Sequence, residues 1–593
     1  MSVDKLITDN LAVWTGAVTR KSTSGRGSNG KLEMTGIKKL RELILELAVR
    51  GKLVPHFDKE EPVRELLDRI GEARASLVAD GTLKPVKPSP ILTDAETPAH
   101  LPACWSWVRL EEVCRYIQRG KGPKYSDNGR ARVVSQKCVK WSGLDLVPAR
   151  YIEDDSLKSY QRERFLLDGD VLWNSTGTGT VGRVTVAGEV NEKCLVADSH
   201  VTVIRPLLIS EKFVAIYLSS PDVQKKIEPT HEDSLVSGTT KQVELNVAAV
   251  KALPIPLPPL AEQHRIVAKV DELMALCDQL EQQQAGNLQA QQALVETLLR
   301  TLVEAGDANE THQAWNRIAE HFDSLFTTED TIDQLKQAVL QLAVMGALLP
   351  QDPEDEPAHE FLDRVAADKN RLAKVGRIRK LKNLPNVKAE EMCFPIKRGW
   401  EWARLEQFSI VGTGATPARD NLSYYEPPAF NWVTSGETEE EFIFDTKEKV
   451  SQKAIDDTNV SIYPAGTLVV AMYGQGKTRG QITELMIDAG TNQACAAISL
   501  ICRDSFHRKY IKLFFEKSYE ELRSQAAGGA QPNLNLGKIS QTVIPIPPLA
   551  EQKRIVTKVD ELMGLCNSLK ARIQQAQTTQ AHLADAIVEQ AVA

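Results

Sequence analysis

The sequence has no apolar run approaching the roughly 20 residues that a membrane span needs. Its start, Met1 to Trp14, breaks up its apolar residues with Asp4, Lys5 and Asp9, which is not the pattern of a secretory signal. The nine cysteines include no Cys-x-x-Cys pair. An odd number without metal spacing points to reduced thiols and a cytoplasmic protein. There is no His-Glu-x-x-His and no Gly-x-Ser-x-Gly, and the ten histidines do not cluster. His200, in a strand-like run, reads as structural. The usual zinc hydrolase and serine hydrolase sites are therefore excluded. Pro221-Asp222 lacks the acidic-x-Lys partner of a nuclease site. Glu426-Pro-Pro-Ala-Phe430 departs in both acidic residue and spacing from the Asn/Asp-Pro-Pro-aromatic signature of amino-methyltransferases. No catalytic residue and no metal ligand set is assigned. Positive charge is not in excess either. The formal net charge of −7 argues against a chain that coats nucleic acid all over, and allows one basic groove on an acidic body.

What is present is a duplication. At 593 residues the chain is too long for one domain, and it repeats itself at about half its length. The helical series Ile37, Leu40, Leu43, Ile44, Leu47, Ala48, closed by Gly51 and Pro55, returns 295 residues later as Ile332, Leu335, Ala338, Val339, Leu342, Ala343, closed by Gly346 and Pro350. A second short helix follows each, over 62–77 and 357–375, with proline expected at its first position. Trp105-Ser-Trp107-Val-Arg109-Leu110-Glu111 recurs as Trp400-Glu-Trp402-Ala-Arg404-Leu405-Glu406, again 295 residues on. Finally, Pro258-Pro-Leu-Ala-Glu-Gln-His-Arg-Ile-Val recurs as Pro547-Pro-Leu-Ala-Glu-Gln-Lys-Arg-Ile-Val, 289 residues on. The segments between the second and third blocks thus differ by six residues in length, and they differ widely in sequence.

After the Pro-Pro junctions the apolar residues step by four and three: Ile266, Val270, Leu273, Cys277, Leu280, and Ile555, Val559, Leu562, Cys566, Leu569, Ile573. That is the seam of a coiled coil, or of a helix packed on its own domain. Two like helices in one chain pair most simply with each other, antiparallel by pseudo-two-fold symmetry. A helix from Pro259 to about Val303 would span roughly 65 Å and could act as a ruler.

The inserts, around 100–257 and 395–546, carry short β-rich runs such as Val201 to Ile204 and Thr467 to Val470, divided by glycine and proline. An α/β or mixed domain with long loops is expected for each. Basic residues gather between Arg115 and Lys140: Arg115, Arg119, Lys121, Lys124, Arg130, Arg132, Lys137 and Lys140, with Tyr116, Tyr125 and Trp141 nearby and Asp127 the single acid. Such a run can neutralise phosphates, and it can equally be a solvated face. A second run, 369–388, holds eight basic residues and no acid. Each insert also has a glycine-rich turn after a strand, Ser175 to Arg183 with Thr178, and Tyr473 to Gly480 with Gln475, Lys477 and Arg479. Glycines let a backbone come close to a ligand. Gly476-Lys477-Thr478 imitates the end of a nucleotide-binding P-loop, but Ala471 stands where that motif needs glycine and no helix pattern follows. Polar loops at 237–242, with Lys241, and at 528–535, with Gln531 and Asn533, offer amide and basic groups of the kind that read base edges, or serve as ordinary turns.

Two variable inserts on near-identical helices, with the Trp-x-Trp entry and the Pro-Pro-Leu-Ala-Glu-Gln-x-Arg-Ile-Val exit each present twice, closely resemble the specificity (S) subunit of type I restriction-modification enzymes. The resemblance covers residues 37–593. It implies an α+β chain in which two globular target recognition domains, 100–257 and 395–546, are joined by two long antiparallel coiled-coil-like helices. The helical regions would be 37–99, 258–394 and 547–593. Residues 1–36 would be a leader, with a flexible arm contacting a partner as one reading of its Ser/Gly-rich stretch. The resemblance further implies that each domain reads one half of a split, asymmetric double-stranded DNA site. Two modification (M) subunits would use S-adenosylmethionine to methylate adenine, and restriction (R) subunits would add ATP- and Mg-dependent translocation and cleavage. No cofactor would bind this chain. The DNA-contacting candidates are Arg119, Lys121, Lys124, Arg130, Arg132, Lys137, Lys140, Thr178, Arg183 and Lys241 in the first insert, and Gln475, Lys477, Arg479, Gln531 and Asn533 in the second. The competing readings are a fused enzyme that modifies or cuts DNA alone, and a pure coiled-coil scaffold. The missing motifs disfavour the first, and the dissimilar Trp-bearing inserts disfavour the second.

Overall fold

The computed structural model describes all residues except 1–2, 21–31, 58, 84, 86–91, 94–95, 98–99, 178, 189, 191–193, 240–241, 379–384, 475–477, 526–533 and 593. The chain divides into two compact units. The first holds described residues 3–19, 32–286 and 577–592, and the second holds 20 and the described part of 287–576.

In the first unit the helix Thr35–Val49 buries Ile37, Leu40, Leu43, Ile44, Leu47 and Ala48, the residues of the first repeated block. It ends in a Schellman-type cap, with Lys52 N donating to Leu47 O at 2.9 Å. The second unit repeats this with Glu329–Val344, where Ala347 N donates to Leu342 O at 2.9 Å. The short helices that follow are Val63–Ala79 and Ala358–Lys374. Pro62 and Pro357 sit at the caps of these helices, one residue ahead of the expected first helical position, with ψ of 142° and 145°. Their fixed φ suits either place, and a cap also spares the helix their missing N–H.

The two junctions open helices of 44 residues each, Leu260–Val303 and Leu549–Val592, about 66 Å long at 1.5 Å per residue. In the first unit, Ile266, Val270, Leu273 and Cys277 are buried in one cluster with the Thr35–Val49 helix, and Arg41 ties the two together through Asp278 and Glu281 at 2.6 and 2.7 Å. The end of the other long helix joins the same cluster through Ala584, with Ile587, Val588 and Ala591 packed against it. In the second unit Ile555, Val559 and Cys566 cluster likewise with Leu335, Val339 and Leu342, and Val295, Leu299 and Leu302 come from the end of the first long helix. The seams therefore pack on the first-block helices as well as sharing a cluster with the other long helix. The two long helices expected from periodicity are present, and the first-block helices pack on their seams in addition. Between these apolar ends the helices change character: no residue of 278–294 or 567–583 is buried. Half-buried positions there keep the same four-and-three steps through Glu281, Gln284, Leu288 and Gln291, and through Lys570, Ile573, Gln577 and Gln580.

The first part of the leader is helical. Helices Val3–Asp9 and Leu11–Gly16 pack on the first unit, with Val3, Ile7 and Trp14 buried in its core and Asp4 paired with Lys269 at 2.8 Å. Burying an indole and two aliphatic side chains holds residues 3–19 on the unit. The Ser/Gly-rich stretch lies outside the described residues.

Each insert leaves and rejoins its frame at one place. The entry strand Ser106–Arg109 pairs antiparallel with the exit strand Pro254–Leu257, and Glu401–Arg404 pairs with Val543–Ile546 in the same way. Beyond this neck the two inserts share one fold despite their dissimilar sequences. The first has a sheet in the order Cys114–Arg119, Val201–Pro206, Val171–Asn174, Val184–Val186; the second has Ser409–Thr413, Cys495–Leu500, Leu468–Ala471, Ile482–Leu485, with Phe442–Ile443 added at the edge. A second sheet pairs Arg132–Val134 with Leu195–Ala197 (parallel) and with Arg150–Ile152 (antiparallel). Its counterpart pairs Phe430–Val433 with Ala489–Thr491 and Glu448–Val450 in the same two senses. A helix, Glu211–Ser219 or Ser505–Lys517, follows the central strand in both. The sheets are mostly antiparallel, so the inserts are mixed α and β and not doubly wound.

Candidate nucleic-acid interface

The repeated motifs meet at the neck and aim each insert. Trp105 Nε1 donates to Glu262 Oε1 at 3.0 Å, and Trp400 Nε1 donates to Glu551 Oε2 at 2.9 Å. The Trp-x-Trp entry and the Glu-Gln-x-Arg exit are thus two sides of one contact. The other exit residues act alike in both units. Gln263 and Gln552 donate to the carbonyls of Pro258 and Pro547 at 2.9 and 2.8 Å. Arg265 pairs with Glu60, and Arg554 with Asp355. Arg109 and Arg404 hold Glu96 and Glu391 at 3.0 and 2.6 Å. Burial pushes the Glu262 and Glu551 carboxyls up, and the indole hydrogen bonds pull them back down.

Past the neck, strand ends converge at one edge of the first insert. Arg119 lies opposite Thr202 and Asn174 opposite Val201, so the ends of two strands and the start of the central one are side by side. The glycine-rich turn springs from Asn174. Thr176 Oγ1 contacts His200 Nδ1 at 2.5 Å, Thr180 Oγ1 donates to Gln136 Oε1 at 3.2 Å, and Thr176 bridges to Glu244 of the neighbouring hairpin. His200 sits in the turn before the central strand and braces this loop, a structural role as expected. The turn closes where Gly182 N donates to Asn174 O at 3.0 Å and Asn174 N to Arg183 O at 2.9 Å. In the second insert Gly480 N donates to Ala471 O at 2.8 Å and Ala471 N to Gln481 O at 3.0 Å. The closing glycines have φ of 88° and 86°, a region that side-chain-bearing residues avoid. The two turns are therefore one backbone device carrying different side chains. A strand, Ile482–Leu485, follows the second turn, where a P-loop would need a helix.

The candidate residues differ in their surroundings. Arg119 is used internally: Nε donates to Ser199 O at 2.9 Å and the guanidinium pairs with Glu244. Lys121 donates to Ser159 Oγ at 2.8 Å and lies over the Tyr160 ring, Arg132 is half-buried with Leu146 O at 3.4 Å, and Arg183 donates to Gly179 O at 2.9 Å. Arg130 and Lys140 are exposed but pair with Asp154 and Asp145 at 3.4 and 2.5 Å. Lys124 and Lys137 are exposed and have no ion pair among the described residues. Arg479 is half-buried next to the closing Gly480. Thr178, Lys241, Gln475, Lys477, Gln531 and Asn533 lie outside the described residues. The run from Arg115 to Lys140 is therefore not one stripe. It crosses three sheets, and only part of it faces solvent. Sequence reasoning passed over Arg150, which is exposed with its guanidinium 4.3 Å from the exposed Tyr125 ring, and Tyr151 beside it. A basic residue between two aromatics in Tyr125 and Tyr151 is a sequence signal only once the pairing of Tyr125 with Ile152 is known.

The frame, its two clasps and its pair of equivalent β-rich heads define a duplicated scaffold for presenting two different polar loop edges. The chain belongs to the family described as the type I restriction modification DNA specificity domain, whose family model matches it twice, at residues 102–290 and 397–577. It is similar along the whole of both chains to the EcoAI specificity subunit of the type I restriction enzyme of Escherichia coli, 35% identical over 614 residues. The EcoEI specificity subunit of the same organism is likewise 35% identical over 619 residues, covering all of both chains. Among solved structures, the HsdS subunit from Thermoanaerobacter tengcongensis is 18% identical with a TM-score of 0.41, over 84% of this chain and 98% of that one. Among the described residues no helix is long and apolar enough to cross a membrane.

Proposed function

We propose that this chain is the non-catalytic, sequence-specific DNA-binding subunit of a type I restriction-modification complex, with residues 100–257 and 395–546 as its two target recognition domains. Each domain reads one half of a bipartite, asymmetric site. The long helices carry the two domains and dock two methyltransferase (M) subunits, and R subunits supply restriction. S-adenosylmethionine, ATP and Mg belong to those partners. The observation that carries this reading is that one backbone device, the glycine-closed turn at a strand edge, occurs in both inserts with unrelated side chains on a near-identical frame. A frame kept constant while its loops differ is what two independent readings of DNA require.

Exchanging residues 105–255 for the corresponding insert of a relative, and mapping methylated adenines in cells that also carry the M subunit, tests it. One half of the recognised site should change and the other half should persist. Both halves changing together would refute independent reading.

A further inference from the structure

We propose that His56, Cys104 and Glu262 form a binding site for one divalent metal ion of the zinc type at the neck of the first insert. The three ligand atoms lie within 4.8 Å of one another. Cys104 Sγ is 3.8 Å from His56 Nδ1 and 4.0 Å from Glu262 Oε2, and His56 Nδ1 is 2.8 Å from Glu262 Oε1. Metal–ligand bonds of about 2.0–2.3 Å in a tetrahedral arrangement place donors roughly 3.3–3.7 Å apart, so small side-chain adjustments suffice. One thiolate, one imidazole and one carboxylate suit a borderline ion such as Zn²⁺, with water in the fourth position. The His56 side chain is 34% exposed, which leaves a path for the ion, while Glu262 is 1% exposed and held by Trp105 Nε1. That indole bond is the kind of outer support that orients a ligating carboxylate.

The chain contains its own control. In the second unit the equivalent places are Gln351, Gly399 and Glu551, and Gln351 Nε2 donates to Glu551 Oε2 at 3.4 Å. The frame therefore closes its neck with neither thiol nor imidazole. The donor set in the first unit is more than the clasp needs. No sequence motif announces it, because the donors are 48 and 158 residues apart. On binding, Cys104 gives up its thiol proton and the ligating nitrogen of His56 must carry none, so affinity falls as pH falls. The bound ion would pin the loop after the first helix, the entry strand and the start of the long helix together.

The test is a Co²⁺ titration of the purified full-length chain, with Zn²⁺ as competitor. One equivalent should bind with a thiolate-to-cobalt absorption band that Zn²⁺ abolishes. Cys104→Ser should lose the band. His56→Gln, which copies the residue the second unit carries at that place, should weaken binding by roughly tenfold or more. Cys393→Ser, removing an exposed thiol elsewhere, should leave the band intact. Should Cys104→Ser not fold, Zn²⁺ protection of Cys104 from alkylation in the unmutated chain, read by mass spectrometry, decides instead. No band at stoichiometric metal, a band that survives Cys104→Ser, or Cys104 alkylated equally with and without Zn²⁺ would overturn the proposal.

Discussion

The duplicated clasp allows one substitution to be made twice in different surroundings. Trp400→Phe removes the indole N–H that reaches Glu551, a carboxylate 1% exposed. A hydrogen bond to a buried charge is worth about 1.5–3 kcal/mol, and the smaller ring leaves a void costing about 1 kcal/mol more. The remaining donor to Glu551 is Gln351 at 3.4 Å, too long to replace it. Local destabilisation of about 2.5–4 kcal/mol is expected. Trp105→Phe makes the same change at Glu262, but His56 Nδ1 stays 2.8 Å from that carboxylate. One charge-assisted bond survives, and the cost should be lower by about 1 kcal/mol. Because a chain of two units does not unfold in one step, hydrogen exchange of the peptides around 100–110 and 395–405 is the suitable assay. Equal costs at the two sites, or costs below about 1 kcal/mol at both, would refute the argument from the clasp.

Lys124→Ala with Lys137→Ala should weaken binding to all DNA sequences alike and make the salt dependence shallower by about two units, as for two lost phosphate contacts; an unchanged slope would remove both from the interface. Arg119→Ala should instead lower the melting temperature, since its guanidinium ties Ser199 O to Glu244. Burial and the neighbouring Asp222 push Glu46 up to about 7, against the pull of Arg50. A carboxyl raised on folding stabilises most below its unfolded value of about 4.3 and loses that contribution as pH climbs through 7. Glu46→Gln should therefore flatten the fall in thermal stability between pH 5 and 7.5, and parallel curves for variant and parent would contradict this.

The frame was legible because its signal is local and doubled. A four-and-three apolar step shows in a short window, and its recurrence at a fixed offset separates it from chance. The inserts were legible only as β-rich. Val171–Asn174 and Leu468–Ala471 are buried at every position, so they lack the alternation that marks a half-exposed strand. Their common fold is invisible in the sequence, since different apolar residues fill the same sheet positions. The basic run is divided by its strands. Neighbours in sequence alternate across a strand, so Arg119 turns to Glu244 while Lys124, beyond the strand, reaches solvent.

The neck explains why such a frame can hold unlike heads. Entry and exit strands are paired, with Ser106 opposite Leu257 and Glu401 opposite Ile546, so an insert of any length starts and ends with its loop already closed. Most polar partners of the clasp come from the frame itself: Glu60, Glu96, Trp105, Arg109, Glu262 and Arg265 all lie outside the variable sheets. Among the contacts between head and frame, Lys212 with Asp271 and Lys509 with Asp560 included, one falls on the repeated glutamine. Gln263 Oε1 accepts from the backbone N–H of Ser210 at 2.8 Å, whereas Gln552 Oε1 is 2.9 Å from His507 Nδ1. Burial lowers His507 to about 4, so the ring is neutral at pH 7 and has one N–H to give. An amide oxygen can only accept, which places that proton on Nδ1 and leaves buried Nε2 as a bare acceptor. Both heads thus meet the same demand, a donor at one glutamine oxygen, by different means. The frame constrains an incoming domain at this point by hydrogen-bond chemistry and not by sequence.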